Sequence, residues 1–180
     1  MSTDESKMDR SQMIRVDQAG EYGATRIYAG QMAVLGTDHA ISGSIAHMAA
    51  QEERHRRLFD KLLATRGVRP TLLQPFWDVA GFALGAATAL IGPKAAMACT
   101  AAIETEIDAH YAEQLRELDA APPSEADPEL RAMIAEFQAE EVEHRATALA
   151  AGAEQAPAYP LLAGAIRLGC RFAIAMSKRI

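Results

Sequence analysis

Two five-residue stretches hold carboxylate and imidazole groups at a spacing that could bind a metal: QEERH at 51–55 and EEVEH at 140–144. Superposed, they agree only at the second and fifth positions, which pairs Glu52 with Glu141 and His55 with His144. Residues three apart lie on one face of a helix. Each pair can therefore offer one oxygen and one nitrogen donor to the same cation. The other members do not correspond: Glu140 and Glu143 stand against Gln51 and Arg54. They are expected on a solvated rim, with Glu140 pairing with His144 or Arg145.

Both pairs interrupt apolar stripes. Ile41, Ile45 and Met48 precede Glu52 and His55, and Phe59 and Leu62 follow; Leu130, Ile134 and Phe137 precede Glu141 and His144, and Ala148 follows. A carboxylate in such a seam is costly unless it is paired or holds a cation. Two other helical stripes each carry one glutamate. Glu21 shares a face with Ala24, Tyr28, Met32 and Leu35, and Glu104 with Met97, Ala101, Asp108, Tyr111 and Leu115. Glu106 falls about 200° around the helix from Glu104 and is set aside. The order is Glu, ExxH, Glu, ExxH, two halves of a degenerate repeat that predicts a pseudo-two-fold axis. Four glutamates and two histidines facing inward from four helices are the donors of a carboxylate-bridged dimetal centre. Mixed oxygen and imidazole donors suit iron or manganese better than zinc.

The elements that must position these groups are all helices. Helical spacing recurs and strand-like alternation does not. A first helix is predicted over 14–35, stopping at Gly36; Thr37 or Asp38 caps a second that runs to Arg66. Residues 67–92 form a long crossover with an apolar helical piece. Gly92-Pro93 opens a third bundle helix ending before Pro122-Pro123, and Asp127-Pro128 caps a fourth ending near Gly152. A last helix follows Pro160. Two helices, a long crossover and two more helices make an all-α, ferritin-like four-helix bundle with an additional C-terminal amphipathic helix. Residues 1–12 are expected to be a frayed lead-in, and 13–180 a single domain.

Composition narrows the function. The chain has 180 residues and a formal net charge of −6, which disfavours a nucleic-acid partner. Cys99 and Cys170 stand far apart with no CxxC pattern, as isolated thiols do in a reducing compartment. The polar start MSTDESKMDRSQ has no apolar core of a signal peptide. The apolar run VAGFALGAATALIG is too short to span a bilayer, which needs roughly 20 residues.

RVDQAGEYGATRIYAGQ around Glu21, QEERH, GFALGAATALIGPKAAMACT, EEVEH and APAYPLLAGAIRLGCRFAIAMSKRI together resemble the blocks of the demethoxyubiquinone hydroxylases (3-demethoxyubiquinol 3-hydroxylases) of ubiquinone biosynthesis. The likeness covers about residues 13–180. It implies a di-iron centre on Glu21, Glu52, His55, Glu104, Glu141 and His144, the residues the seams single out. By analogy with di-iron carboxylate proteins, Glu52 and Glu141 bridge, and Glu21 and Glu104 are terminal. The family's His-Tyr pair falls on His110-Tyr111, candidate catalytic residues. Thr105 stands where some relatives have a second glutamate.

The reaction implied is a monooxygenation with O2 as co-substrate: one oxygen atom enters the ring of a polyprenyl benzoquinol and the other leaves as water. NADH is the implied electron donor, and no glycine fingerprint for a nicotinamide fold is present. Such a substrate resides in a bilayer. Arg167, Arg171 and Lys178 form a basic stripe opposite Leu162, Ala165, Gly169, Phe172 and Met176. That pattern suits a helix lying on a membrane, here the cytoplasmic face of a bacterial inner membrane. The apolar crossover fits the same surface or a homo-oligomer interface, and a lipid-binding accessory protein is a further possible partner. Two alternatives share the helices: an iron-storage or peroxide-reducing protein, and a non-catalytic lipid-binding scaffold. No rubredoxin-like cysteine quartet supports the first, and two seam-borne ExxH pairs argue against the second.

Overall fold

The computed structural model describes residues 9–179, and all its regular elements are helical. They are α1 (Arg10–Leu35), α2 (Ser42–Arg66), α3 (Gln74–Ile91), α4 (Pro93–Asp119), α5 (Pro128–Ala150) and α6 (Tyr159–Ser177). Short 3-10 turns at Pro123–Glu125 and Ala153–Gln155 join the later helices. Residues 1–8 of the expected lead-in lie outside the described residues. Arg10, Ser11 and Gln12 are helical rather than frayed, because the Asp9 carbonyl accepts from the Gln12 and Met13 amides.

The seams close as their apolar spacing dictates. α1 packs with α2 and α4 with α5, and the two hairpins form the bundle. Met13, Ile14, Phe59, Leu130, Ile134 and Phe137 are fully buried at one end. Tyr28, Ile45, Met48 and Met97 fill the other. Asp127 caps α5 as expected: its carboxylate accepts from the Leu130 amide at 3.1 Å, and it also pairs with Arg66 of α2. The start of α2 differs from expectation. Thr37 and Asp38 hydrogen-bond to each other, and the Ser42 hydroxyl instead donates to the Gly36 carbonyl at 2.7 Å, so the helix begins at Ser42.

The crossover helix α3 lies directly on α1. A Cβ added at Gly85 would sit 1.9 Å from the Ile27 carbonyl oxygen, and one at Gly30 would sit 2.2 Å from that of Phe82. Only glycine lets these backbones approach so closely. α6 packs on α4 and α1 and buries Ala163 and Ile166. It is also long and apolar enough to cross a membrane by length and composition, which the crossover run alone is not. The expected amphipathic division of α6 is altered. Arg167 and Arg171 reach back to Glu106 of α4, each at 2.6 Å. Leu161, Leu168 and Phe172 are 62–78 % exposed, so the outward face is apolar.

Candidate metal centre

Glu21 enters from α1, Glu52 and His55 from α2, Glu104 from α4, and Glu141 and His144 from α5. All six are at most 2 % exposed. They form two overlapping quartets whose donor atoms lie within 4.8 Å of one another: Glu21, Glu52, His55 and Glu141; and Glu52, Glu104, Glu141 and His144. Glu52 and Glu141 belong to both. The Nδ1 of His55 is 3.3 Å from Glu21 Oε2 and 3.3 Å from Glu141 Oε1. The Nδ1 of His144 is 3.1 Å from Glu52 Oε1 and 3.0 Å from Glu141 Oε2. Glu141 thus turns one oxygen toward each imidazole.

The centre has a donor set that fits divalent cations. Glu21 Oε2, both oxygens of Glu52, His55 Nδ1, Glu104 Oε2 and Glu141 Oε1 are buried without a hydrogen-bond partner. Buried polar groups are ordinarily satisfied, and a cation shared by these lone pairs would satisfy them. Burial, then the neighbouring Glu141, pushes the Glu52 and Glu104 carboxyls well above their usual range. Burial also raises Glu141. For His55, burial pulls downward, but Glu141 and Glu21 outweigh it and hold the imidazole up to about 10. Burial lowers His144. Metal binding therefore has to displace protons from this cluster.

A ring of partners aims these donors. The Tyr111 hydroxyl of α4 donates to Glu21 of α1, and the Tyr28 hydroxyl of α1 donates to Glu104 of α4 at 3.0 Å. Burial first, and the nearby glutamates next, raise both phenols, so they remain donors. The His55 Nε2–H donates to Glu140 at 2.8 Å, and the His144 Nε2–H to the Gln51 side-chain carbonyl at 3.0 Å. Because both partners are acceptors, each Nε2 keeps its proton and each Nδ1 faces the centre, where its lone pair becomes available to a metal once any proton there is displaced. The His55 ring also stacks on Phe137 with centroids 3.9 Å apart.

Several surrounding expectations change. Glu140 is not a rim residue pairing with His144 or Arg145. Its carboxylate crosses to α2, taking His55 on one oxygen and Arg54 at 2.6 Å on the other. Arg145 instead pairs with Asp108 at 2.9 Å, which draws Asp108 out of the inward stripe. Glu143 is exposed, as expected. Glu106 lies outside both quartets, but it is buried and holds the C-terminal helix. Tyr111 shares a face with Glu104 in sequence, yet its hydroxyl reaches Glu21. His110 bonds to the buried Asp17 at 3.2 Å, and the Gln114 amide donates to the same Asp17 oxygen at 2.8 Å.

Tyr28, Gln51, Asp17 and Gln114 were not singled out as functional from sequence. The signal for the tyrosines was present: each follows its half's lone glutamate by seven residues, Glu21 to Tyr28 and Glu104 to Tyr111. Asp17 precedes Glu21 by one helical turn, a carboxylate on the same inward face.

A cavity of about 560 Å³ reaches this centre between α1, α3, α4 and α6. Phe76 and Phe172 stand at its exposed end, and Glu21, Tyr111, Asp17 and His110 at its buried end. A smaller cavity of about 290 Å³ lies between α2 and α5, against Gln51, His47, Glu143 and His144.

Residues 8–177 match the family described as ubiquinone biosynthesis protein COQ7. The chain is 56 % identical over 167 residues to the 3-demethoxyubiquinol 3-hydroxylase of Rhodospirillum rubrum, covering 93 % of this chain and 76 % of that protein. It is 51 % identical over 168 residues to the human mitochondrial NADPH-dependent 3-demethoxyubiquinone 3-hydroxylase, with the same coverage. It is 42 % identical over 179 residues to the mitochondrial 5-demethoxyubiquinone hydroxylase of Saccharomyces cerevisiae, covering 93 % and 77 %. An all-α bundle that buries two carboxylate–histidine quartets, with similarity along almost its whole length, places this chain in the COQ7 family of ubiquinone biosynthesis proteins.

Proposed function

We propose that the chain is an O2-dependent hydroxylase that acts on the ring of a demethoxyubiquinol-type polyprenyl benzoquinol. Two iron ions would be held by Glu21, Glu52, His55, Glu104, Glu141 and His144, with Glu52 and Glu141 shared between them. Bound there, the pair would supply the reduction of O2 that ring hydroxylation requires. In balance, the ring C–H, O2, two electrons and two protons give C–OH and water. A reduced nicotinamide supplies the electrons; the human relative's name specifies NADPH rather than the NADH expected from the sequence.

The observation that carries this reading is the cavity ending on Glu21 and Tyr111, because an apolar passage that stops at a buried metal-binding carboxylate suits an apolar substrate. Its volume lies in the range of small-molecule sites. A quinol ring entering past Phe76 and Phe172 would lose water and meet His110, fixed by Asp17 and Gln114 as a hydrogen-bonding partner for a ring hydroxyl. Tyr111 would keep Glu21 turned toward the metal position while the ring is bound. The exposed Phe76, Val79, Leu90 and Ile91 of α3, with Leu161, Leu168 and Phe172 of α6, suit contact with a membrane that holds the prenyl tail. Arg167 and Arg171 are engaged with Glu106, so this contact is carried mainly by apolar side chains. Iron storage explains neither the apolar cavity nor the apolar exterior.

The test is direct. Protein loaded anaerobically with ferrous iron is given a short-chain demethoxyquinol, NADPH or NADH, and air. A product heavier by one oxygen, formed only with iron present, supports the reading; iron-loaded protein that leaves the quinol unchanged refutes it.

A further inference from the structure

The two metal quartets are not chemically equal. The halves of the bundle match pair by pair around the centre: Glu21 with Glu104, Tyr28 with Tyr111, Glu52 with Glu141, and His55 with His144. The tyrosines cross between halves, each holding the other half's terminal glutamate. The first residues of the two pentads cross in the same way. Glu140, which opens EEVEH, holds His55 of the other pentad at 2.8 Å; Gln51, which opens QEERH, holds His144 at 3.0 Å. This pair alone in the set breaks the match in residue type. A carboxylate stands behind one histidine and a neutral amide behind the other.

The difference acts on the metal through the ring. A carboxylate that accepts the outer N–H of a ligating histidine raises the basicity of the inner nitrogen and orients it. An amide carbonyl orients the ring but carries no charge. Arg54 offsets part of the Glu140 charge, yet it takes the other oxygen and shares itself with Glu136 at 2.8 Å. Gln51 and His144 also line the smaller cavity between α2 and α5. His55 lines neither cavity and is stacked on Phe137.

We infer that Glu140 and Gln51 are positioning residues that make the two metal positions unequal, so that the Glu21–Glu52–His55–Glu141 position binds a divalent cation more tightly and fills first. The inference rests on the two-metal reading. It also places the tighter position at the end of the apolar cavity, beside Glu21 and Tyr111, and the weaker one beside the smaller cavity.

Metal-free protein crystallised anaerobically with one equivalent of ferrous iron tests it, with anomalous scattering at the iron edge locating the ion. The density should lie at the His55 position, and a parallel equilibrium titration should show two steps separated by about 10- to 100-fold in affinity. Glu140→Gln should weaken the tighter step until the two merge. Gln51→Glu should strengthen the weaker step, which keeps the inference testable if the first variant folds poorly. The double exchange should move the first-filled density to the His144 position. Equal density at both positions in the unaltered protein, or a step ratio unchanged in Glu140→Gln and Gln51→Glu, overturns the inference while leaving the dimetal centre standing. Failure to bind any iron overturns the two-metal reading and the inference with it.

Discussion

Replacing Glu52 by Gln should stabilise the metal-free protein and abolish its response to iron. Glu52 is fully buried, and neither carboxylate oxygen has a hydrogen-bond partner. Burial, then Glu141, Glu21 and Glu104, raises its carboxyl well above the usual 4.5. A group whose folded pKa is raised contributes stability that is present below its unfolded value and lost as pH rises through the folded value. His55, raised from 6.5 to about 10, acts with the same sign. His144 is lowered, so its effect is confined to pH below 6.5. The metal-free protein should therefore lose thermal stability between pH 7 and pH 9. Removing one buried ionisable carboxyl from this cluster should recover about 1–3 kcal/mol, the scale of an unsatisfied buried group. In a domain of this size that raises Tm by about 2–12 °C. With iron the order should reverse. At a free metal concentration of 100 times Kd, the unaltered protein gains about 2.7 kcal/mol, and the variant should gain almost none. Thermal melts of both proteins at pH 7, 8 and 9, with and without anaerobic ferrous iron, supply the assay. A metal-free variant no more stable than the parent at pH 8, or one that keeps the full iron-dependent rise in Tm, would refute the reasoning.

Tyr111→Phe removes a donor to a buried carboxylate, so the iron-loaded protein should lose about 1.5–3 kcal/mol in urea unfolding; Tyr28→Phe, its counterpart on Glu104, should lose a similar amount. Gly85→Ala forces a methyl group against the Ile27 carbonyl and should cost about 1–3 kcal/mol, whereas Gly164→Ala, with nothing within 4 Å, should be neutral or stabilising in the same melts. Glu106→Gln should loosen α6, seen as faster amide hydrogen exchange across residues 163–173 with little change in α2; unchanged exchange would show that apolar packing alone seats the helix.

The bundle was legible because its signals were local. Each seam residue from Ile45 to Phe59 and from Leu130 to Ala148 sits in a regular helical stripe, and Gly36, Gly67 and Asp127 mark boundaries that the backbone uses. The six central donors were legible because a charged group in an apolar stripe is anomalous. What lies around them was not. Glu140 looked like rim because its partners, His55 and Arg54, belong to a helix far away in sequence. Tyr111 shares a face with Glu104 yet bonds to Glu21, since a side chain that long crosses to the facing helix. The basic stripe on α6 suggested the polar side of a helix lying on a membrane, but Arg167 and Arg171 both reach Glu106, a carboxylate buried on α4. Helical periodicity describes one helix at a time, and these contacts depend on how helices face one another.

The central claim is that the six buried glutamates and histidines at the end of the apolar cavity would hold a dimetal centre, which would supply the O2 reduction needed to hydroxylate a quinol ring bound in that cavity. Isotope tracing with 18O2 in a single turnover of iron-loaded protein tests it most directly. The account predicts that the new ring hydroxyl carries the label from O2, and that Glu52→Gln, which has no competent centre, forms no labelled product. A product whose hydroxyl oxygen comes from water, or labelled product from that variant in undiminished yield, would contradict it.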